Sequence, residues 1–283
     1  MLFACAYSVS AQLPDTDIFV ADMKFTKDST YFGDPVNITN KPGYDNHPYF
    51  TKNGGALYYV SADSVQTDIV RYLFAGKTSA LVTRTRESEF SPSLTPDGKF
   101  MTVVRVDTDS TQHGYMFPLN NPRKAQKLNG TDSIGYYCWM NDSLMAMFIL
   151  GQENSLQVLN RKTLKRTFIA SNIGRCLKMN ADSSMLYFII KHSDDDWRIH
   201  TLQVKGFKID EAAPVMRGVE DFVVLKDGTI LMGDNGYLFA YRQKKRKWRT
   251  VADFTGNIGS FYRIAVSPQE NRIAMVAFKG KKP

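Results

Sequence analysis

Histidine and cysteine are scarce in this chain, four of one and three of the other in 283 residues. No CxxC pair and no Cys/His cluster occurs, which excludes a zinc site of the usual spacing. Long apolar runs are missing as well. None reaches the roughly 18 residues that a helix needs to cross a bilayer, so an integral helical membrane protein is excluded. The GxSxG turn that exposes a hydrolase serine is also absent. Against these absences, 43% hydrophobic and 23% charged residues are ordinary for a soluble globular chain, and the formal net charge is +8.

What the chain has is repetition. Six times an apolar run ends in a turn rich in Asp, Asn, Gly and Ser, and a second apolar run follows at once. The anchors are Thr51, Thr95, Met140, Met179, Leu225 and Val266, at spacings of 44, 45, 39, 46 and 41 residues. A period in the forties carried by hairpin turns marks a β-propeller, one four-stranded blade per repeat. Second strands such as Leu57 to Val60, Met145 to Leu150 and Leu186 to Ile190 are nearly all apolar. Strands buried between two neighbouring blades require that pattern. Fourth strands (from Ala80, Ala125, Arg166 and Arg249) are short and polar, as an outer edge should be.

The sixth repeat holds only two strands before the chain ends, while the segment from Asp17 reads as a third strand and that from Pro35 as a fourth. The expected fold is therefore all-β: a six-bladed β-propeller of four-stranded antiparallel blades, its last blade closed by N-terminal strands. Residues 12–283 form this single domain. Residues 1–11 read as the remnant of a signal peptide, with Val9, Ser10 and Ala11 offering cleavage before Gln12 and the positively charged start missing. That implies a periplasmic or secreted protein. Cys138 and Cys176 lie on the first strands of neighbouring blades at offsets of two and three residues from their anchors, so two buried thiols are expected rather than a disulfide.

The segments ESEFSPSLTPDGKF from Glu87 and NHPYFTKNGGALYYV from Asn46 resemble the TolB-like (WD-repeat-like) propeller repeat, with its Ser-Pro-x-x-x-Pro-Asp-Gly hairpin. MTVVRVDTDSTQ, GYYCW from Gly135, LMAMFILGQENSLQV and NIGR from Asn172 also look like a group of secreted TolB-like proteins from Gram-negative bacteria. The resemblance spans most of the chain. It implies a propeller outside the cytoplasm that serves as an interaction surface, and it implies no reaction.

Ligands of propellers meet the mouth of the central channel, where the loops before the first strands converge. Counting four residues back from each anchor gives His47, Ser91, Tyr136, Arg175, Asp221 and Tyr262, all polar. Two residues further on stand Tyr49, Ser93, Cys138, Leu177, Val223 and Ile264, mostly apolar. A wet ring over a drier plug is the expectation. Asp45 and Glu89 add carboxylates above the ring, and Glu220 lies beside Asp221. In one reading Arg175 meets an anionic group of a ligand; in the other it pairs with Asp221 or Glu89, and the ring is a self-satisfied cluster that only hydrates the mouth.

The function expected is a binding or protein-interaction module for a protein, a peptide or a small polar ligand, with no cofactor and no catalysis. The alternative is a metal-dependent hydrolase or lactonase at the same mouth, with Asp45, Asn46, Glu89 and Asp221 as oxygen ligands. Six of the eight residues from Arg242 to Arg249 are basic, and smaller basic sets recur at Arg161, Lys162, Lys165 and Arg166, and at Lys279, Lys281 and Lys282. The first two sets fall at hairpins between third and fourth strands, on the outer rim, where charge protects an edge. Without interleaved aromatics they carry no nucleic-acid signature. No specific nucleic acid is expected, and a monomer is.

Overall fold

A computed structural model describes residues 13–26, 30–62 and 66–279. The signal-peptide reading, with Cys5, falls outside them, as do Lys281 and Lys282. Regular structure in the described residues is strand, apart from two single turns of 3-10 helix at Pro122–Lys124 and Gln243–Lys245. No helix among them is long and apolar enough to cross a membrane.

Each repeat folds as a meander because each turn is chemically closed. In the second, the Thr95 hydroxyl donates to Asp97 Oδ1 at 2.6 Å, the Lys99 amide donates to the same oxygen at 3.1 Å, and Gly98 takes a φ of +71°. That left-handed residue is where an L side chain would be strained, so the Pro-Asp-Gly run is a mechanism and not only a motif. Asn53 and Asn141 accept from turn amides in the same way.

Four sheets are four-stranded, antiparallel and sequential. They run from Ser88–Leu94 to Gln126–Lys127, from Ile134–Trp139 to Arg166–Ser171, from Lys178–Met179 to Ile209–Pro214, and from Phe222–Val224 to Lys247–Asp253. The fifth sheet has nine strands and contains two such sets. One is the meander from Tyr44–Phe50 to Thr78–Leu81. The other joins the two ends of the chain. Strand Phe261–Val266 pairs with Arg272–Phe278, which pairs along seven residues with Thr16–Phe25, from Thr16 opposite Phe278 to Asp22 opposite Arg272. Val36–Asn37 adds the outer edge, and a single parallel bridge from Thr16 to Tyr44 links the two sets.

The core lies between successive sheets. Tyr58, Val60 and Ile69 of one meander pack on Met101, Val103 and Phe117 of the next, and Tyr187, Ile189 and Ile199 pack on Phe222, Ile230 and Met232. The joined ends are held on both faces: Ile18, Val20 and Val276 against Leu57 and Tyr59, and Met23, Ile273 and Met275 against Leu231 and Leu238. Burial of one such Ile, Leu or Val side chain stabilises by roughly 1.5–3 kcal/mol. Outer strands share in this less: all four residues of Thr78–Leu81 are exposed, although Ala213 of Ile209–Pro214 is buried.

Candidate functional site

The first strand of each repeat lies innermost, and in four of them the backbone is distorted where the polar ring was expected. His47 and Pro48 together oppose Tyr59, and Ser91 and Pro92 together oppose Val103, each pair forming a bulge. His47 has a φ of +54° and Ser91 of +53°. A left-handed L residue costs roughly 1–2 kcal/mol, a strain that equivalent positions of two repeats both retain. The bulges bring the two side chains together across neighbouring sheets, with His47 Nδ1 3.0 Å from Ser91 Oγ. His47 Nε2 meets the Tyr44 hydroxyl at 3.1 Å, and its ring stacks on Tyr136 at 5.9 Å and 8°. Burial, then Arg263 and Arg175, hold the imidazole well below its ordinary pKa, so His47 is neutral.

The hydrogen bonds that open the hairpins reset two of the anchors. The amides of Thr51, Thr95, Met140 and Leu225 donate to Ala56, Phe100, Leu144 and Thr229, and the matching amides in the fourth and sixth repeats are Asn180 and Ser267. Both stand one residue beyond the positions read from spacing. Four residues before Ser267 is Arg263, not Tyr262; four before Asn180 is Cys176, which lines the cavity beside Arg175. Tyr262 is the bulged residue of its strand, stacked on Phe278 at 4.6 Å, and its hydroxyl accepts from Asn46 Nδ2 behind the ring. The cue was available: Ser-Pro-Gln-Glu-Asn from Ser267 has the same Ser/Thr-then-turn form as Thr95-Pro-Asp-Gly.

His47, Ser91, Tyr136, Arg175, Asp221 and Arg263, from six repeats, line one cavity of about 220 Å³. Tyr49, Ser93, Cys138, Leu177 and Ile264 line it further in. Val223 lines an adjoining cavity with Tyr49 and Met179. A third cavity, of about 490 Å³, shares Tyr49, Ser93 and Cys138 with the first and extends to the hairpin turns at Pro96, Asn141 and Pro268.

Asp221 is the electrostatic centre. Its Oδ2 accepts from Arg175 Nη2 at 2.6 Å and Nε at 3.0 Å, and its Oδ1 accepts from Arg263 Nε at 3.2 Å. Burial alone would raise this carboxyl, but Arg263 and then Arg175 outweigh it and leave the pKa below the usual carboxylate value. Arg263 also donates from Nη1 to Asn46 Oδ1 at 2.9 Å and lies 5.8 Å from the Tyr136 ring. Glu220 approaches Arg175 at 3.6 Å and is bound by Lys191.

The two carboxylates expected above the ring are elsewhere. Asp45, fully buried, accepts from Ser61 at 2.6 Å and faces Lys41 at 3.4 Å. Glu89, also fully buried, takes both Nη2 and Nε of Arg105, at 2.6 and 3.2 Å, and that guanidinium covers the Tyr115 ring. Alternation along the strand explains this: both carboxylates stand two residues before a bulge that re-aims everything after it. Each keeps one oxygen with no partner, and burial raises both pKa values. The four oxygens considered for a metal are thus divided among three separate clusters. Among the described residues no three His, Cys, Asp or Glu side chains are grouped to hold a metal ion. Cys138 and Cys176 are free thiols; Cys176 hydrogen-bonds the Phe222 backbone, and burial pushes it up to about 12. Neither is poised as a thiolate nucleophile.

No protein-family model matches this chain, and no curated protein sequence does. Solved structures do match in shape. A putative TolB from Agrobacterium tumefaciens aligns with a TM-score of 0.71 at 11% identity, over 95% of this chain and 99% of its own. TolB from Acinetobacter baumannii aligns at 0.62 and 11%, over 95% of this chain and 65% of its own. An oligogalacturonate lyase in complex with manganese gives 0.61 and 12%, over 87% and 80%. A chain of a nidogen/laminin complex gives 0.63 and 11%, over 93% and 98%. At these identities the likeness is one of fold, that of a TolB-like β-propeller.

Proposed function

We propose that this TolB-like propeller is a six-bladed binding module of the periplasm or the secreted space, and that it takes a protein, peptide or small polar ligand at the channel mouth. Counting the nine-stranded sheet as two sets joined at one bridge supports six blades. The observation that carries the binding reading is the convergence of His47, Ser91, Tyr136, Arg175, Asp221 and Arg263 on one open cavity. Shared cavities lined by a few convergent polar groups are where small ligands seat. Two bulges, each with a strained residue, support the same reading, since such strain concentrates at functional sites. The nidogen/laminin neighbour supports protein engagement by a propeller of this shape. The extracytoplasmic setting is supported by the N-terminal sequence and by the TolB-like resemblance.

The test is a thermal-shift screen of short peptides, sugars and organic acids, with hits repeated on two variants. Arg175→Ala alters the mouth; Lys244→Ser with Lys245→Ser and Lys247→Ser alters the rim. Hits lost in the first and kept in the second support the mouth. The reverse pattern places the binding surface on the rim.

A metal-dependent hydrolase or lactonase is the second reading, and the manganese-bound lyase among the neighbours is what favours it. Its oxygen ligands would have to be other than the dispersed set of Asp45, Asn46, Glu89 and Asp221. Metal analysis of purified protein and a melt with chelator address it directly, since a bound structural or catalytic ion stabilises the folded state by mass action.

A further inference from the structure

The charged lining of the mouth does not balance. Arg175, Lys178 and Arg263 face a single carboxylate, Asp221. His47 is neutral, Glu220 is engaged by Lys191 and Arg175, and Asp45 and Glu89 are turned into other clusters. From this excess we infer that the mouth seats a compact oxyanion, a carboxylate or phosphate group, on Arg263 and Arg175 with Lys178 at its side. The inference rests on the mouth being the binding site and names the chemistry of its ligand.

Donor bookkeeping supports it. A guanidinium has five N–H donors and no acceptor. Arg263, only 8% exposed, directs Nε to Asp221 and Nη1 to Asn46, and Nη2 has no partner among the described residues. Arg175 directs Nε and Nη2 to Asp221, leaving Nη1. Neither of these nitrogens is sealed without a partner among the described residues, and both side chains line the cavity. Lys178 lines the same space and adds three donors. An acceptor-only ligand fits such a lining; a cation would add to the excess. Asp221 already holds both guanidinia in place, so little side-chain freedom is lost on binding. The cavity of about 220 Å³ suits an anionic group, not a folded segment.

The experiment is calorimetric titration of inorganic phosphate, succinate and citrate into the full chain at constant ionic strength, with sodium chloride as the control for screening. Phosphate and the carboxylates form separate arms, and the tighter arm identifies the group. Expected is saturable binding by at least one arm, weakened about tenfold or more in Lys178→Gln, as befits loss of one charge-assisted contact. Lys178 is partly exposed, and its removal leaves the Asp221 pairs intact, so this variant keeps the fold. Arg263→Lys, which preserves charge but loses the fork, should weaken binding further. Absence of saturable binding by all three anions, or equal affinity in wild type and Lys178→Gln, overturns the inference. Neutral hits from the screen that depend on Arg175 would in that case leave the mouth standing as a binding site and remove only its anionic ligand.

Discussion

At the scale of single residues, His47 shows how position overrides residue type. A free imidazole would titrate near pH 6.5, but this one sits between Tyr44, Ser91 and Tyr136 with two guanidinia nearby, and its pKa is lowered. The sign of the linkage follows. The unfolded chain binds a proton at about pH 6.5 that the folded chain refuses, so stability is full above that pH and falls as the pH drops below it. Urea midpoints at pH 7.5 and pH 5 should therefore fall further apart in the wild type than in His47→Gln. Equal spacing in both proteins would show that the imidazole ionises freely in the fold. Of the eight site residues read from sequence, five line the cavity: His47, Ser91, Tyr136, Arg175 and Asp221. Tyr262 supports the ring from behind through Asn46, while Asp45 and Glu89 are buried in other pairs. Sequence spacing locates a residue along a strand; it does not say which way a bulge turns it.

At the scale of elements, close approach between sheets is fixed by small residues that no periodicity reveals. Gly233, in the strand Ile230–Asp234, faces Phe261 of the next first strand so closely that a Cβ there would lie 2.1 Å from the Phe261 ring. Phe261 is 1% exposed and packed edge-on against Phe254, so it has nowhere to retreat. Gly233→Ala should destabilise by about 1–3 kcal/mol through overpacking. A lowered urea midpoint with an unchanged slope is the expected readout. An unchanged midpoint would mean that these two sheets lie further apart. The hairpins themselves were legible, because a Thr or Ser followed by Asp, Asn and Gly closes a turn by local hydrogen bonds. The one-residue error at Ser267 had a cue in its Ser-Pro turn, but that at Asn180 had none, since Met179 and Asn180 both suit a strand end and only the backbone hydrogen bonds choose between them.

For the whole molecule, the joined chain ends are the decisive feature. Thr16–Phe25 is the third strand of a sheet whose first two strands lie at the other end of the sequence, and its side chains pack on the sheets to either side. Deleting residues 13–40 removes two strands of that set and uncovers both faces. Repeat arrays left with an uncapped terminal unit lose solubility and stability. The truncated protein should aggregate on size-exclusion chromatography or melt far below the full chain, and equal melting of the two would rule out a structural role for the joined ends.

Periodicity and turn chemistry, which are local, determined the repeat, its hairpins, its buried second strands and the polarity of the ring, and each of these can be read without knowing what lies across a sheet. The partner of each charge was decided only by the tertiary structure. Arg175 had Asp221 and Glu89 as candidates, both far from it in the chain; Asp221 holds it at 2.6 Å, while Glu89 is claimed by Arg105 of its own sheet. Arg263 entered the site only through a bulge that moves the strand by one residue. Bulges, pairings and the charge left over after pairing depend on contacts between segments far apart in the chain, as in the bond from Arg263 to Asn46 across 217 residues, and a local pattern carries no record of those contacts.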